Sequence, residues 1–183
     1  MQLTLLRYWR LGLGYFHNPS LFYFSPIKGK SIWGKNIRNN MKTLVTGGCG
    51  FIGSNFVLQQ INSTNNTILN LDKLTYAGNS ENLSSIQNHE RYDFAKGDIC
   101  DATLVSETIT NFQPDAIVHF AAESHVDRSI DCPMEFVNTN IIGTATILDA
   151  SLKYCGHKKI KDKFKFLHVS TDEVFGSLGH NGF

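Results

Sequence analysis

What this chain lacks narrows its class before any motif is read. No apolar run approaches the ~20 residues needed to cross a bilayer as a helix, so no membrane partner is expected. The four cysteines (Cys49, Cys100, Cys132, Cys155) lie far apart without a C-x-x-C pair. That spacing argues against a disulfide frame and against a zinc or other metal site, and fits reduced thiols in a cytoplasmic protein. The first forty residues contain no acid, while Arg7, Arg10, Lys28, Lys30, Lys35 and Arg38 give them six positive charges. Residues 41–183 carry eleven basic and sixteen acidic residues, a mildly acidic body without the basic footprint of a nucleic-acid binder. Asn62, Asn65 and Asn82 stand in N-x-S/T sequons, which matter only in a secreted protein. The 183 residues suffice for one domain with a sizeable core and are too few for two full ones.

Residues 1–40 are aromatic and basic, and are broken by Gly12, Gly14, Pro19 and Pro26. They read as an appended or disordered extension ahead of a start at Met41. Their lack of acids is shared with organelle transit peptides, although serine and arginine are modest. A functional arm is the third alternative. Fold reasoning starts at Met41.

The stretch Met41–Gly53, MKTLVTGGCGFIG, joins a buried strand (Lys42–Thr46) to a helix through Gly47, Gly50 and Gly53. Such glycines permit a tight turn, clear space for a pyrophosphate and let helix pack on strand. The N–H groups at the helix start then face the anion. Asp72 follows 19 residues after Gly53, at the end of a second strand, Thr67–Leu71. From there strand and helix signals alternate: a short helix from Ser80 to Ile86, a strand at Tyr92–Lys96, and a helix capped by Asp101 and running to Phe112. A strand at Asp115–Ala121, a long helix over residues 133–155 and a strand at Phe164–Ser170 complete the series. This alternation predicts a doubly wound parallel α/β sheet. No internal repeat interrupts it.

Several positions fall where such sheets bind ligands, at the carboxyl ends of strands. Asp72 can accept both hydroxyls of an adenosine ribose and repel a 2′-phosphate, which favours NAD over NADP; Lys73 beside it could tolerate that phosphate. Asp98 is placed to bond an adenine amino group, though Gly-Asp is also turn chemistry. Phe120-Ala121-Ala122-Glu123-Ser124 ends strand four, and its two alanines would let a cofactor lie against the backbone. Glu123, His125, Asp127 and Arg128 form either a polar site loop or a surface salt-bridge cluster. Ser170-Thr171-Asp172-Glu173 ends strand five, and adjacent carboxylates can divide acid and base work.

Assembled, TGGCGFIGS, LDKLTYAGN, GDICD, HFAAESHVDRSI, NTNIIGT and HVSTDEVFG resemble, in order, the dTDP-glucose 4,6-dehydratase family. That family is a member of the nucleotide-sugar branch of the extended short-chain dehydrogenase/reductase superfamily. The resemblance implies a Rossmann domain over residues 41–183, a tightly held NAD, and dehydration of dTDP-glucose to dTDP-4-keto-6-deoxyglucose. It implies that Phe51 and Ile52 meet the pyrophosphate beside Gly47, Gly50 and Gly53. Asp72, Lys73, Leu74 and Thr75 would line the ribose, and Asp98 and Ile99 the adenine. Phe120, Ala121, Ala122, Glu123, Ser124 and Thr139 would flank the nicotinamide half. Ser124 and Thr171 would touch the sugar, Asp172 would protonate the leaving hydroxyl, and Glu173 would take the C5 proton.

Two departures stand out. Phe175 replaces the family's usual tyrosine. The family's catalytic Tyr-x-x-x-Lys would lie beyond Phe183, and Tyr154–Lys158, which has that spacing, reads as a helix end with Gly156 as its cap. The expectation is therefore a front portion without the substrate domain, truncated after about the fifth strand, inactive alone and apolar at its open sheet edge. The full-length protein is expected to be a homodimer. The alternatives are a UDP-sugar 4,6-dehydratase or epimerase, and a non-catalytic NAD-binding remnant.

Overall fold

The computed structural model describes residues 40–160 and 162–170. Five strands, β1 (Lys42–Thr46), β2 (Thr67–Asp72), β3 (Tyr92–Lys96), β4 (Ala116–His119) and β5 (Lys165–His168), form one sheet in the order β3-β2-β1-β4-β5. Every pairing is parallel. This is the doubly wound Rossmann arrangement expected from the alternating pattern, with strand order reversing beside β1.

Central strands in such a sheet are buried on both faces, so neighbouring residues serve different cores. On β1, Leu44 joins one apolar cluster and Val45 the other; on β4, Ile117 and Val118 divide the same way. Helix α1 (Phe51–Ser63) covers one face with Phe56, Val57 and Ile61, aided by Leu83 and Ile86 of a 3₁₀ segment, Ser80–Ile86. Helices α2 (Ala102–Phe112) and α5 (Thr144–Lys158) cover the other, through Val105, Ile109, Ile147 and Tyr154. Asp101 caps α2 as expected, accepting from Thr103 N and Leu104 N, and Asn79 caps the 3₁₀ segment by accepting from Glu81 N.

Four local expectations need correction. β4 is shorter than Asp115–Ala121: Phe120 N still donates to Thr46 O, but Ala121 then passes directly over Gly47 and leaves the ladder. The polar loop after it contains a short helix, α3 (Val126–Asp131). The helix expected over residues 133–155 is interrupted: α4 (Pro133–Phe136) opens into a wider π turn, Val137–Gly143, before α5. There Asn140 reaches back to the Glu123 backbone and Gly143 packs against Ile99, where a Cβ would collide with that side chain. Gly156 does not cap α5; the helix continues to Lys158 and ends on Lys159, at φ 54°.

The decoy Tyr154 is buried, edge-on to Phe164 at 6.0 Å, and its phenol is pushed above the ordinary value by burial first and by Asp115 next. The apolar surface also lies elsewhere than expected. On β5, Phe166 is buried and Leu167 partly so, whereas the exposed Ile130, Met134, Val137, Ile141 and Ile142 lie along α3, α4 and the π turn. The extension (residues 1–39) and the run Thr171-Asp172-Glu173, with Phe175, lie outside the described residues.

Candidate functional site

The turn between β1 and α1 is built by contact rather than by glycine flexibility alone. Gly47 adopts φ +72°, and a Cβ on it would stand 2.5 Å from Ala121 N. A Cβ on Gly53 would run into Gly47 O. These two clearances let the loop after β4 and the start of α1 close against the same turn. Gly50, the N-cap of α1, places no side chain over the helix start, and the first turn carries no acid. The helix's positive end is thus left for an anion to meet.

Beneath the turn sit two polar side chains of β2, Asp72, expected at the site, and Asn70, which was not singled out. Asn70, fully buried, accepts from Gly48 N at 3.0 Å and donates to Cys49 Sγ at 3.3 Å and to the Tyr92 hydroxyl at 3.2 Å. Asp72 accepts from Cys49 N and, with its other oxygen, from Leu74 N, each at 2.8 Å. Leu74 is held at φ 58°, an uncommon conformation for a branched side chain. That bend turns Thr75 toward the cleft. Burial first, then the Asp72 charge, pushes the Cys49 thiol up to about 11.

The cleft that opens over this turn is lined by Gly47, Gly50, Asp72, Lys73 and Thr75 on one side. Asp98, Ile99, Phe120, Ala121, Ala122, Glu123 and Thr139 complete it. Of the expected cofactor residues, Phe51, Ile52, Gly53, Leu74 and Ser124 do not line it: Phe51 and Ile52 are exposed at the helix start, Gly53 is packed under the turn, and Ser124 is exposed. Leu71, Ala77, Gly78 and Gly97 line it without having been singled out. The turn glycines of Tyr76-Ala-Gly78 and Lys96-Gly97 were the available signal.

Opposite charges meet across one end of the cleft, Lys73 Nζ to Asp98 Oδ2 at 2.6 Å. Burial opposes ionisation of Asp98, but the bonds from Lys73 and from Cys100 N outweigh it and hold the carboxyl below its usual value. Asp98 in turn raises Lys73, chiefly through their hydrogen bond. At the other end Asn140 clasps the Glu123 backbone with two bonds of 2.8 Å, which fixes the loop after β4. The π turn brings Thr139 to the cleft wall; such turns often mark functional sites. Below, His119 ties three elements together, Nδ1 to Thr46 Oγ1 at 2.6 Å and Nε2 to Thr144 Oγ1 at 3.0 Å. Burial, then the neighbouring His168, pushes the His119 imidazole down to about 3, so it is neutral. Among the described residues no three His, Cys, Asp or Glu side chains gather as a metal site, and no described helix is long and apolar enough to cross a membrane.

Comparison with known proteins places this geometry. The family model described as GDP-mannose 4,6 dehydratase matches residues 44–183. The chain belongs to this family. A dTDP-glucose 4,6-dehydratase of Escherichia coli is 53% identical over 142 residues, covering 76% of this chain and 39% of the relative. The solved structure of a dTDP-glucose 4,6-dehydratase from Bacillus anthracis in complex with NAD is 44% identical, with a TM-score of 0.65 over 78% of this chain and 41% of that one. A UDP-glucose 4-epimerase from Thermotoga maritima, solved with UDP-glucose, is 32% identical, with a TM-score of 0.61 over 72% and 38%. The chain thus spans about two fifths of the length of the curated relatives it matches. The family match takes in all of β2 to β5, most of β1 and the glycine turn described above.

Proposed function

We propose that residues 41–183 form the NAD-binding half of a nucleotide-sugar 4,6-dehydratase, whose full-length form converts dTDP-glucose to dTDP-4-keto-6-deoxyglucose. The observation that carries this reading is the cleft itself. An uncapped helix start, a turn cleared of side chains at Gly47 and Gly53, and a carboxylate at the end of β2 suit a dinucleotide. NAD, when bound, supplies a hydride acceptor at C4 of the sugar that later returns the hydride to C6. The chain's part is positional along the cleft: Asp72 and Thr75 face the ribose, Asp98 the adenine, and Ala121, Ala122 and Thr139 the nicotinamide half. Thr171 holds the sugar, Asp172 protonates the leaving C6 hydroxyl and Glu173 takes the C5 proton. The base for the first oxidation is not among the described residues.

The dTDP-glucose reading is preferred because the 53% relative and the 44% structure are both dTDP-glucose 4,6-dehydratases. A UDP-sugar enzyme is the second reading, favoured by the likeness to the epimerase. The Thr171-Asp172-Glu173 run argues for elimination over epimerisation, which needs no such acid–base pair. A cytoplasmic homodimer is part of the same proposal: the four cysteines form no disulfide, and the exposed stripe on α3, α4 and the π turn offers an apolar face.

Two measurements test it. Calorimetric titration of the chain with NAD should show saturable binding. In a protein extended to the relatives' full length, Asp172→Asn and Glu173→Gln should each slow elimination by about 10²–10⁴ while C4 oxidation survives. Undiminished dehydration in both variants would overturn the assigned roles.

A further inference from the structure

At the end of β2 the wall of the cleft carries an acid, a base and a second acid. Asp72 is 8% exposed, and both of its oxygens already accept main-chain N–H groups, from Cys49 and Leu74. Lys73 reaches across to the loop after β3, where its Nζ meets Asp98 Oδ2 at 2.6 Å. The other Asp98 oxygen accepts from Cys100 N at 2.9 Å, so the carboxylate is anchored from its own loop. Lys73 remains 58% exposed; its ammonium stands at the cleft surface and is not sealed away.

A free lysine directly after the β2 acid is the charge that a ribose 2′-phosphate would seek. Here the cation is already engaged, and its partner adds a second negative charge to the same wall. We propose that Asp98 sets this site's preference against 2′-phosphorylated dinucleotides, by holding Lys73 away from the phosphate and by adding its own charge to that of Asp72. The inference rests on the dinucleotide reading of the cleft. It assigns discrimination to a pair spanning two strand ends, where sequence patterns credit Asp72 alone. Pairing favours the ionised form of both groups: Asp98 sits below its usual value and Lys73 above it.

The test is titration of the whole 183-residue chain and its variants with NAD and with NADP, read as the ratio of the two Kd values. Asp98→Asn keeps an acceptor for Cys100 N and releases Lys73. The NADP-to-NAD Kd ratio should fall about tenfold, the size of one charge-assisted hydrogen bond. Adding Lys73→Met to that variant should return the ratio toward its starting value, and the gain should fade at high salt. Lys73→Met alone leaves Asp98 uncompensated, so its ratio should rise. An unchanged ratio in Asp98→Asn, a gain that persists without Lys73, or a fall in Lys73→Met overturns the inference. If the parent binds neither dinucleotide, the cofactor reading fails and takes this one with it; if NAD binds and the ratios do not move, only this one fails.

Discussion

The guanidinium of Arg128 lies over the ring of Tyr76, 4.1 Å from its centroid, and joins the loop after β2 to α3. Arg128 also pairs with Glu135 at 3.2 Å. The Tyr76 phenol is raised by desolvation first and then by the Glu123 charge. Exposed cation–π contacts contribute about 0.5–1 kcal/mol, so Arg128→Ala or Tyr76→Ala should speed NAD release roughly two- to fivefold. Tyr76→Phe keeps the ring and should stay close to the parent. Displacement kinetics followed by nucleotide fluorescence would check this; equal release rates in all three variants would remove the clasp from the binding account.

Gly47→Ala should be among the most damaging single-methyl additions. It forces a left-handed conformation on a residue with a Cβ, and that Cβ meets the Ala121 backbone at 2.5 Å. Strain and overpacking together suggest a loss of about 2–4 kcal/mol, measurable by urea unfolding. Gly156→Ala, where nothing lies within 4 Å, should instead be neutral or slightly stabilising. Equal midpoints for the two variants would contradict the packing described.

Acid stability should depend on His119. Its imidazole is neutral when folded, pushed to about 3 from an ordinary 6.5, so the unfolded chain binds the extra proton between those values. Stability is therefore fully present above pH 6.5 and declines as pH falls toward 3, with a slope of at most about 1.4 kcal/mol per pH unit from this group. His168, also lowered by burial, adds the same sign. His119→Asn should flatten the curve of unfolding free energy against pH over that window. A parallel curve, merely displaced, would assign the pH dependence to other groups.

Ile130 (76% exposed), Met134 (63%) and Ile141 (60%) offer apolar surface on three successive elements, α3, α4 and the π turn. If that face holds the proposed homodimer, Met134→Lys with Ile141→Lys should shift the protein to monomer at unchanged far-ultraviolet dichroism. Sedimentation velocity would read the change. A parent protein that is monomeric at micromolar concentration would exclude the dimer.

The parts of the fold that were readable are those fixed by local chemistry. Strand β3 was expected at Tyr92–Lys96 and is found there, because turn residues bound it on both sides. Asp101 caps α2 because a side-chain oxygen at that position satisfies two otherwise unpaired N–H groups. What escaped was set by contacts distant in sequence. Nothing in TILNL marks Asn70 as the polar support of a turn 22 residues earlier, since a buried asparagine and an exposed one look alike in a strand pattern. The π turn escaped because apolar spacing tolerates one extra residue per turn, and only the Asn140–Glu123 clasp shows why the helix widens there. Lys73 and Asp98 were each singled out; that they pair across two strand ends could not be read from the sequence.

Cys49 sits in the glycine turn with its sulfur buried and its thiol held protonated, whereas Cys132 is at the surface. An alkylating reagent added to the folded protein would thus mark Cys132 and spare Cys49. Any labelling at Cys49 would require the turn itself to come apart, which makes that sulfur a built-in reporter of whether the cleft's floor is intact.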